Sequence, residues 1–348
     1  MRIVVNDIAA EKGGALSVLK SFYNYVKDHD SENEYIFLLS GNYVEETDNI
    51  KVVVNEDVKK SGLHKLRFDF FSGKKYISSF NPDYVLSLQN IITFGLKCRQ
   101  GVYVHQSIPF QKEKKFSLLK SSERGVAVIQ KFIGSIIKKS VKKADDVFVQ
   151  TNWMQENVAE MCKVKPDKIS VVPFETELPA DIDKAIDYPN KKFFYPATFE
   201  GVYKNHEVIY QAVDILRKEG FEDFEVVLTL PTESKSKRTN ITHCGLVDKR
   251  TLFKYYRNSV ILFPSYIETI GLPLLEAKAV NSLILAADCQ YSRETLKGYK
   301  NAYFFNTFEP VKMAELMKLV ITRKFKLYSD ILEEAVSDGW NVITDRIV

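Results

Sequence analysis

The sequence has 348 residues, 45% hydrophobic and 27% charged, and a formal net charge of +4. That apolar content excludes a mostly disordered chain, and 15 Gly with 11 Pro exclude a collagen-like or linker protein. The length suggests two domains, each able to bury its own core. Cys98, Cys162, Cys244 and Cys289 lie at least 45 residues apart. No paired spacing for zinc, haem or a redox couple exists among them, so they read as reduced thiols of a cytosolic protein. No apolar run approaches the roughly 18–20 residues that cross a bilayer. The N-terminal MRIVVND enters a strand directly, with Asp7 where a signal peptide would still be apolar. A soluble intracellular protein is expected.

In chain order, the first half predicts a strand at 3–6, a helix at 15–27, and strands at 35–39, 52–54, 84–87, 101–104 and 147–150. Each strand is an apolar run that ends in polar or turn residues, and helical patterns fill most of the intervals, as a parallel α/β sheet requires. Thr151 and Asn152 read as an ordinary capped helix start. After a strand around Val171, the stretch FETELPADIDKAIDYPN (174–190) is acidic and rich in turn formers, the best linker candidate. The alternation then restarts. Strands are expected at 193–195, 225–229, 241–243, 260–263 and 283–286, and helices at 207–218, 249–257 and 272–279. The last residues, 338–348, read as a short amphipathic helix. Two consecutive doubly wound domains follow, and ligands of such sheets bind at the carboxyl ends of strands.

The charge is concentrated. Residues 111–143 hold ten basic side chains and two acids, a local +8, so the remainder sums to −4. Within that segment Ile129, Phe132, Ile133, Ile136 and Ile137 recur at helical spacing, with Lys131, Lys138 and Lys142 on another face. Such a helix suits an anionic membrane surface, and Lys112, Lys114, Lys115 and Lys139 extend the patch. A core helix with a solvated lysine face fits the same periodicity. Nucleic acid is a weaker candidate, because Phe116 and Phe132 are too few to interleave a phosphate-tracking site with stacking aromatics.

The richest stretch is FPSYIETIGLPLLEA, residues 263–277. A buried strand stops at Pro264 and a helix begins near Pro273, with Ser265, Glu268, Thr269 and Gly271 between them. The amides of Gly271, Leu272 and Leu274 are expected to face an anion over the helix N terminus, where a diphosphate fits. Glu268 in the loop and Glu276 on the helix suit hydroxyl-rich ligands, although each alone also reads as a solvated loop acid or a helix-stabilising one.

Here the sequence resembles the retaining glycosyltransferases of the GT-B fold that carry a Glu-x7-Glu motif, family 4, across most of the chain and most strongly from Phe193 to Asp288. The resemblance implies that the helix N terminus binds the donor diphosphate through Ser265, Thr269, Ile270, Gly271 and Leu272. Glu268 then lies by the donor sugar and Glu276 holds the ribose, while a base rests near Cys244 to Val247. In YPATFEGVYKNHEV (195–208), Lys204 is placed to reach the leaving diphosphate and offset its growing charge. The family usually has an Arg six residues earlier, where this chain has Thr198; either Lys204 acts alone or one of Lys235, Lys237 and Arg238 substitutes. Asn281 stands where Gly is frequent, a change to a turn more than to the chemistry. Gly13 and Gly14 are implied to face the donor phosphates across the cleft, and His105 to contact the donor sugar or orient the acceptor. Trp340, in a final helix that crosses back to the first domain, is expected to be a packing anchor.

No histidine spacing suggests a metal site. Asp181-Ile182-Asp183 superficially matches a metal-binding DxD but sits in the linker candidate, so no metal or other cofactor is expected beyond the nucleotide sugar, with a UDP-sugar favoured. The expected organisation is an acceptor- and membrane-side domain, 1–178 with 338–348, and a nucleotide-sugar domain, 191–337. The expected function is retaining transfer of a hexose-type sugar to a lipid-linked or oligosaccharide acceptor in surface polysaccharide synthesis. The expected place is cytoplasmic, peripheral on the inner face of the plasma membrane, with no nucleic-acid partner. The rivals are a catalytically silent partner of another glycosyltransferase, which Thr198 and Asn281 keep open, and a nucleotide-sugar epimerase on the same fold.

Overall fold

The structure is a computed structural model that describes residues 1–11, 13–59, 62–173, 191–232, 238–328 and 339–347. The linker candidate with Asp181 and Asp183, the boundary at 178, and Lys235 and Lys237 lie outside the described residues.

Seven strands form the first sheet: β1 (Arg2–Asn6), β2 (Glu34–Leu39), β3 (Ile50–Val54), β4 (Tyr84–Ser87), β5 (Arg99–Val104), β6 (Asp146–Val149) and β7 (Ile169–Val171). Their spatial order is β3-β2-β1-β4-β5-β6-β7, and every pair is parallel. Six more form the second: β8 (Lys192–Tyr195), β9 (Glu225–Leu228), β10 (Ile241–His243), β11 (Val260–Phe263), β12 (Ile284–Ala287) and β13 (Ala302–Phe305), in the order β10-β9-β8-β11-β12-β13, again all parallel. Strands such as VILF in β11 are buried throughout, which is why they read as unbroken apolar runs rather than alternations. The strand reversal beside β1 in one sheet and β8 in the other puts the carboxyl ends of both at a topological switch point.

The helices of the first half are α1 (Gly13–His29), α2 (Gly62–Arg67), α3 (Gly73–Ser78), α4 (Arg124–Val128), α5 (Gly134–Lys143) and α6 (Asn152–Cys162). Those of the second are α7 (His206–Lys218), α8 (Lys249–Asn258), α9 (Leu272–Ala279), α10 (Gln290–Thr295) and α11 (Pro310–Ile321). The last, α12 (Asn341–Ile347), follows Trp340. Helix α1 buries Val18, Leu19, Phe22, Tyr23 and Val26, one face at helical spacing. Trp340 is fully buried between Phe22 and Tyr103, with ring centroids 5.4 and 5.6 Å away, and its Nε1 donates to Ser21 Oγ at 2.8 Å. The two doubly wound domains thus match the expected architecture.

Several local expectations differ. The strand expected at 283–286 runs one residue later, and α2, α3, α10, α11 and β13 had no counterpart in the sequence reading. The basic segment is helical from 124 to 143, but a π-helical stretch, Ile129–Ile133, separates α4 from α5. This wider turn breaks the assumed period: Ile137 is buried and Ile133 half-buried, while Phe132 is turned out to 59% exposure. Nor is the patch uniformly free. Lys112 pairs with Glu160 at 2.6 Å and Lys114 with Glu123 at 3.1 Å, and Lys138 Nζ lies 5.8 Å from the Phe110 ring centroid. Lys115, Lys131, Lys139 and Lys142 are exposed. No helix among the described residues is long and apolar enough to cross a membrane.

Candidate active site

Strands β8 and β11 are neighbours, and the loops leaving their carboxyl ends bring Lys204 against Glu268. Lys204 Nζ donates to Glu268 Oε1 at 2.5 Å, and Ser265 Oγ donates to the same oxygen at 2.7 Å. Both partners are largely sheltered, with side-chain exposures of 17% and 20%. The rings of Phe199 and Tyr203 flank the ammonium, with centroids 5.7 and 5.6 Å away. Asn205, at φ +57°, turns the chain into α7 and ties this loop to its neighbours by donating from Nδ2 to Thr307 O at 2.8 Å. Tyr195 Oη donates to Lys204 O at 2.8 Å, which fixes the lysine backbone.

Gly271 precedes α9 at φ +77°, a left-handed conformation that glycine adopts without Cβ strain. A Cβ there would also crowd Tyr291 at 3.1 Å and Leu274 at 3.3 Å. Of the three amides expected to face an anion, that of Leu274 is already taken, donating to Gly271 O at 2.7 Å. Pro273 in the first turn offers none. Glu276, half-buried one turn into α9, accepts from Tyr256 Oη on α8 at 2.7 Å. Burial, reinforced by the Glu276 carboxylate, pushes the Tyr256 phenol well above its usual range, so it stays a donor.

The first domain reaches this loop directly. Thr269, next to Glu268, donates from Oγ1 to His105 O at 2.8 Å. Its carbonyl accepts from Trp153 Nε1 at 2.7 Å and from Thr151 Oγ1 at 3.4 Å. Thr151 therefore does not cap its own helix; Glu294 of α10 does so from the other domain, accepting from the Asn152 and Trp153 amides at 2.7 Å each and from Asn152 Nδ2 at 2.9 Å. An anion at a helix N terminus satisfies orphan amides and the macrodipole together. Asn157 Nδ2 adds a bond to Gln290 Oε1 at 2.9 Å. These contacts across the cleft are what the sequence reading missed; only the rarity of tryptophan, two in the chain, marked Trp153.

His105 follows β5 at the domain junction. Its Nε2 faces Leu88 O at 3.1 Å and Asn90 Nδ2 at 3.0 Å, and its amide donates to Asn90 Oδ1 at 2.8 Å. Burial pushes the imidazole down to about 4, so it is neutral at physiological pH. At Gly13 (φ +65°) and Gly14, an added Cβ would meet nothing within 4 Å among the described residues. Thr198 is exposed, and Arg238 is held by Asp214 Oδ2 at 2.9 Å and over the Tyr210 ring at 4.9 Å, so it points along α7. In the expected base-binding segment the Cys244 and Gly245 amides are bonded to β9 and the loop after it, and Leu246 stands 82% exposed beside Val247. Asn281 takes φ +59° and accepts from Asn301 Nδ2 at 3.0 Å, a turn role.

A cavity of about 370 Å³ borders the Lys204 loop, lined by Gly201, Asn205, His206, Tyr266 and Phe308 with Lys114 from the first domain. Burial pushes His206 down to about 4, and neither of its ring nitrogens has a hydrogen-bond partner among the described residues. Among the described residues no group of three His, Cys, Asp or Glu side chains is placed to hold a metal ion.

Residues 181–337, somewhat under half of the chain, match the family described as glycosyl transferases group 1. No curated protein matches the sequence. Among solved structures, the lipopolysaccharide outer core galactosyltransferase WaaB, in its apo form, superposes with a TM-score of 0.68 at 13% identity, over 100% of this chain and 99% of that one. WaaG, a glycosyltransferase involved in lipopolysaccharide biosynthesis, gives 0.64 at 12% identity over 93% and 91%. Anabaena Alr3699/HepE, solved in complex with UDP and glucose, gives 0.63 at 14% identity over 100% and 95%. At these identities the likeness is one of fold, the two-domain GT-B architecture. The second half of the chain is thus similar to the group 1 glycosyl transferases, and the whole chain has the GT-B fold.

Proposed function

We propose that the protein is a retaining glycosyltransferase that moves a hexose-type sugar from a nucleotide-diphosphate donor, a UDP-sugar by preference, to a lipid-linked or saccharide acceptor in surface polysaccharide synthesis. The observation that carries this reading is the Lys204–Glu268 ion pair at the carboxyl ends of β8 and β11, beside the Gly271 turn into α9. In this reading Lys204 and the amides of Gly271 and Leu272 hold the diphosphate and offset the charge that grows on it as the glycosidic bond breaks. Glu268 orients the sugar hydroxyls, and Glu276, steadied by Tyr256, accepts from the ribose diol. The site positions both substrates, and the leaving phosphate oxygen takes the acceptor proton on the same face.

The two carboxylates and one ammonium are intact despite Thr198, which favours a working transferase over a silent partner. The binding of UDP and glucose by a protein of the same fold is consistent with a nucleotide-sugar donor. The acceptor is proposed to approach from the first domain, whose exposed lysines suit an anionic membrane face. The test is to incubate the purified protein with a panel of nucleotide sugars and a membrane-lipid extract and to read transfer by mass spectrometry. Transfer that keeps the anomeric configuration supports the proposal. Donor turnover to an epimer without any acceptor product would refute it.

A further inference from the structure

Two segments of the first domain share a feature that their charge alone does not explain. A π-helical stretch, Phe68–Ser72, sits between α2 and α3, as Ile129–Ile133 sits between α4 and α5. Each is followed by a glycine two residues after a phenylalanine, Phe71-Ser72-Gly73 and Phe132-Ile133-Gly134. Neither glycine has room for a side chain: a Cβ on Gly73 would lie 2.6 Å from Phe68 O, and one on Gly134 would lie 2.7 Å from Pro109 Cβ. Gly73 makes room for Phe68 of its own wide turn and Gly134 for Pro109, and each wide turn carries an outward phenylalanine. Phe71 is 77% exposed and Phe132 59%.

Lys139 brings the two segments together. Phe70, next to Phe71, stacks on Phe94 with ring centroids 4.5 Å apart, and Lys139 Nζ stands 5.7 and 5.4 Å from those two centroids. Lys139 is seven residues beyond Phe132, two helical turns along the same face. Arg67, Lys74 and Lys75, within four residues of Phe71 in the chain, are exposed, as are Lys131 and Lys139 on the segment of Phe132. The acid within this stretch, Asp69, is buried and bound to Lys65 at 2.8 Å. Outward aromatics ringed by cations match a bilayer with anionic headgroups, where the charges draw the surface in and the rings enter the headgroup–acyl boundary.

We propose that Phe71 and Phe132 are paired membrane anchors that insert into anionic lipid while Arg67, Lys74, Lys75, Lys131 and Lys139 hold the headgroups. The proposal rests on the membrane-side reading of the acceptor given above, and adds α2 and α3 to the surface. It is tested by sedimentation with vesicles of phosphatidylcholine alone and of phosphatidylcholine with phosphatidylglycerol. The wild type should bind the anionic vesicles, and the double variant F71S/F132S should lose about tenfold or more in partitioning. V311S, at an exposed valine on α11, should lose nothing. Because Trp153 and Trp340 are buried, F71W adds the one exposed indole among the described residues, and its emission should shift to the blue on anionic vesicles. Equal binding by wild type and double variant, equal binding to both vesicle types, or no shift in F71W would overturn the proposal. UDP-sugar turnover by F71S/F132S without vesicles should equal that of wild type. Loss of membrane binding with turnover retained thus separates this inference from the transferase reading, which fails if no sugar is transferred to an acceptor.

Discussion

Replacing Glu294 with alanine removes a carboxylate that accepts three hydrogen bonds from the first turn of α6, two from backbone amides at 2.7 Å and one from Asn152 Nδ2 at 2.9 Å. A lost N-cap costs about 1 kcal/mol, and a hydrogen bond to a charged group contributes about 1.5–3 kcal/mol. Water replaces part of this once the half-buried site opens, which leaves a net loss of about 2 kcal/mol in contact between the domains. Those domains are also joined through Thr269, so the loop carrying Glu268 loosens from Trp153 and His105 as they part. If the closed form is the competent one, about 2 kcal/mol corresponds to a roughly 30-fold drop in kcat/KM. E294Q keeps an acceptor oxygen without the charge and should fall between. The assay pairs initial rates of donor turnover with small-angle scattering of the free enzyme, in which E294A should show a larger radius of gyration. A rate within twofold of wild type, with an unchanged scattering profile, would refute the coupling of domain contact to the catalytic loop.

Other outcomes follow from the same geometry. K204A should lower kcat by about a hundredfold or more with a smaller change in donor binding, measured by single-turnover kinetics, because the ammonium is proposed to act on charge that develops late. E276A should chiefly weaken nucleotide affinity, by about tenfold in calorimetry, and Y256F should do so less, since Tyr256 only orients the carboxylate. His105 and His206 both have imidazoles pushed down by burial to about 4, so between their ordinary value and about 4 the unfolded chain binds more protons than the native one. Stability should therefore fall as pH drops through that window, by up to about 3 kcal/mol for each histidine, and level off below it as far as these groups are concerned. Urea unfolding across the window checks this, and H206F should flatten part of the slope.

Sequence pattern served best where one local rule acted alone. The strands β4, β10 and β11 and the helix α9 were legible to the residue, because each is a short apolar or capped run bounded by polar or turn residues. The meeting of Lys204 with Glu268 follows from neighbouring strands, since the loop after β8 carries the lysine and the loop after β11 the acid. What failed depends on partners far apart in the chain. Thr151 looked like a cap, yet the cap comes from Glu294, and nothing near Thr151 announces it. The amide of Leu274 looked open until Gly271 turned its carbonyl toward it. Phe132 was read on one apolar face with Ile129, Ile133, Ile136 and Ile137 by a period of 3.6, and one π turn set it apart from the buried Ile137. Helix α11 and strand β13 went unread although their apolar content is ordinary, because they lie beyond the segment in which the crossover motif concentrated the signal.

The seat of Trp340 has a consequence for how the molecule is made. Its indole fills a gap between α1 and β5, elements that leave the ribosome early, yet it is synthesised only after the entire second sheet. Until then, Phe22 and Tyr103 border an unfilled hole, so the early domain waits, loosely packed, while the later one completes itself. Removing residues 339–347 should thus injure the opposite end of the chain, leaving the β8–β13 half the sturdier of the two under proteolysis.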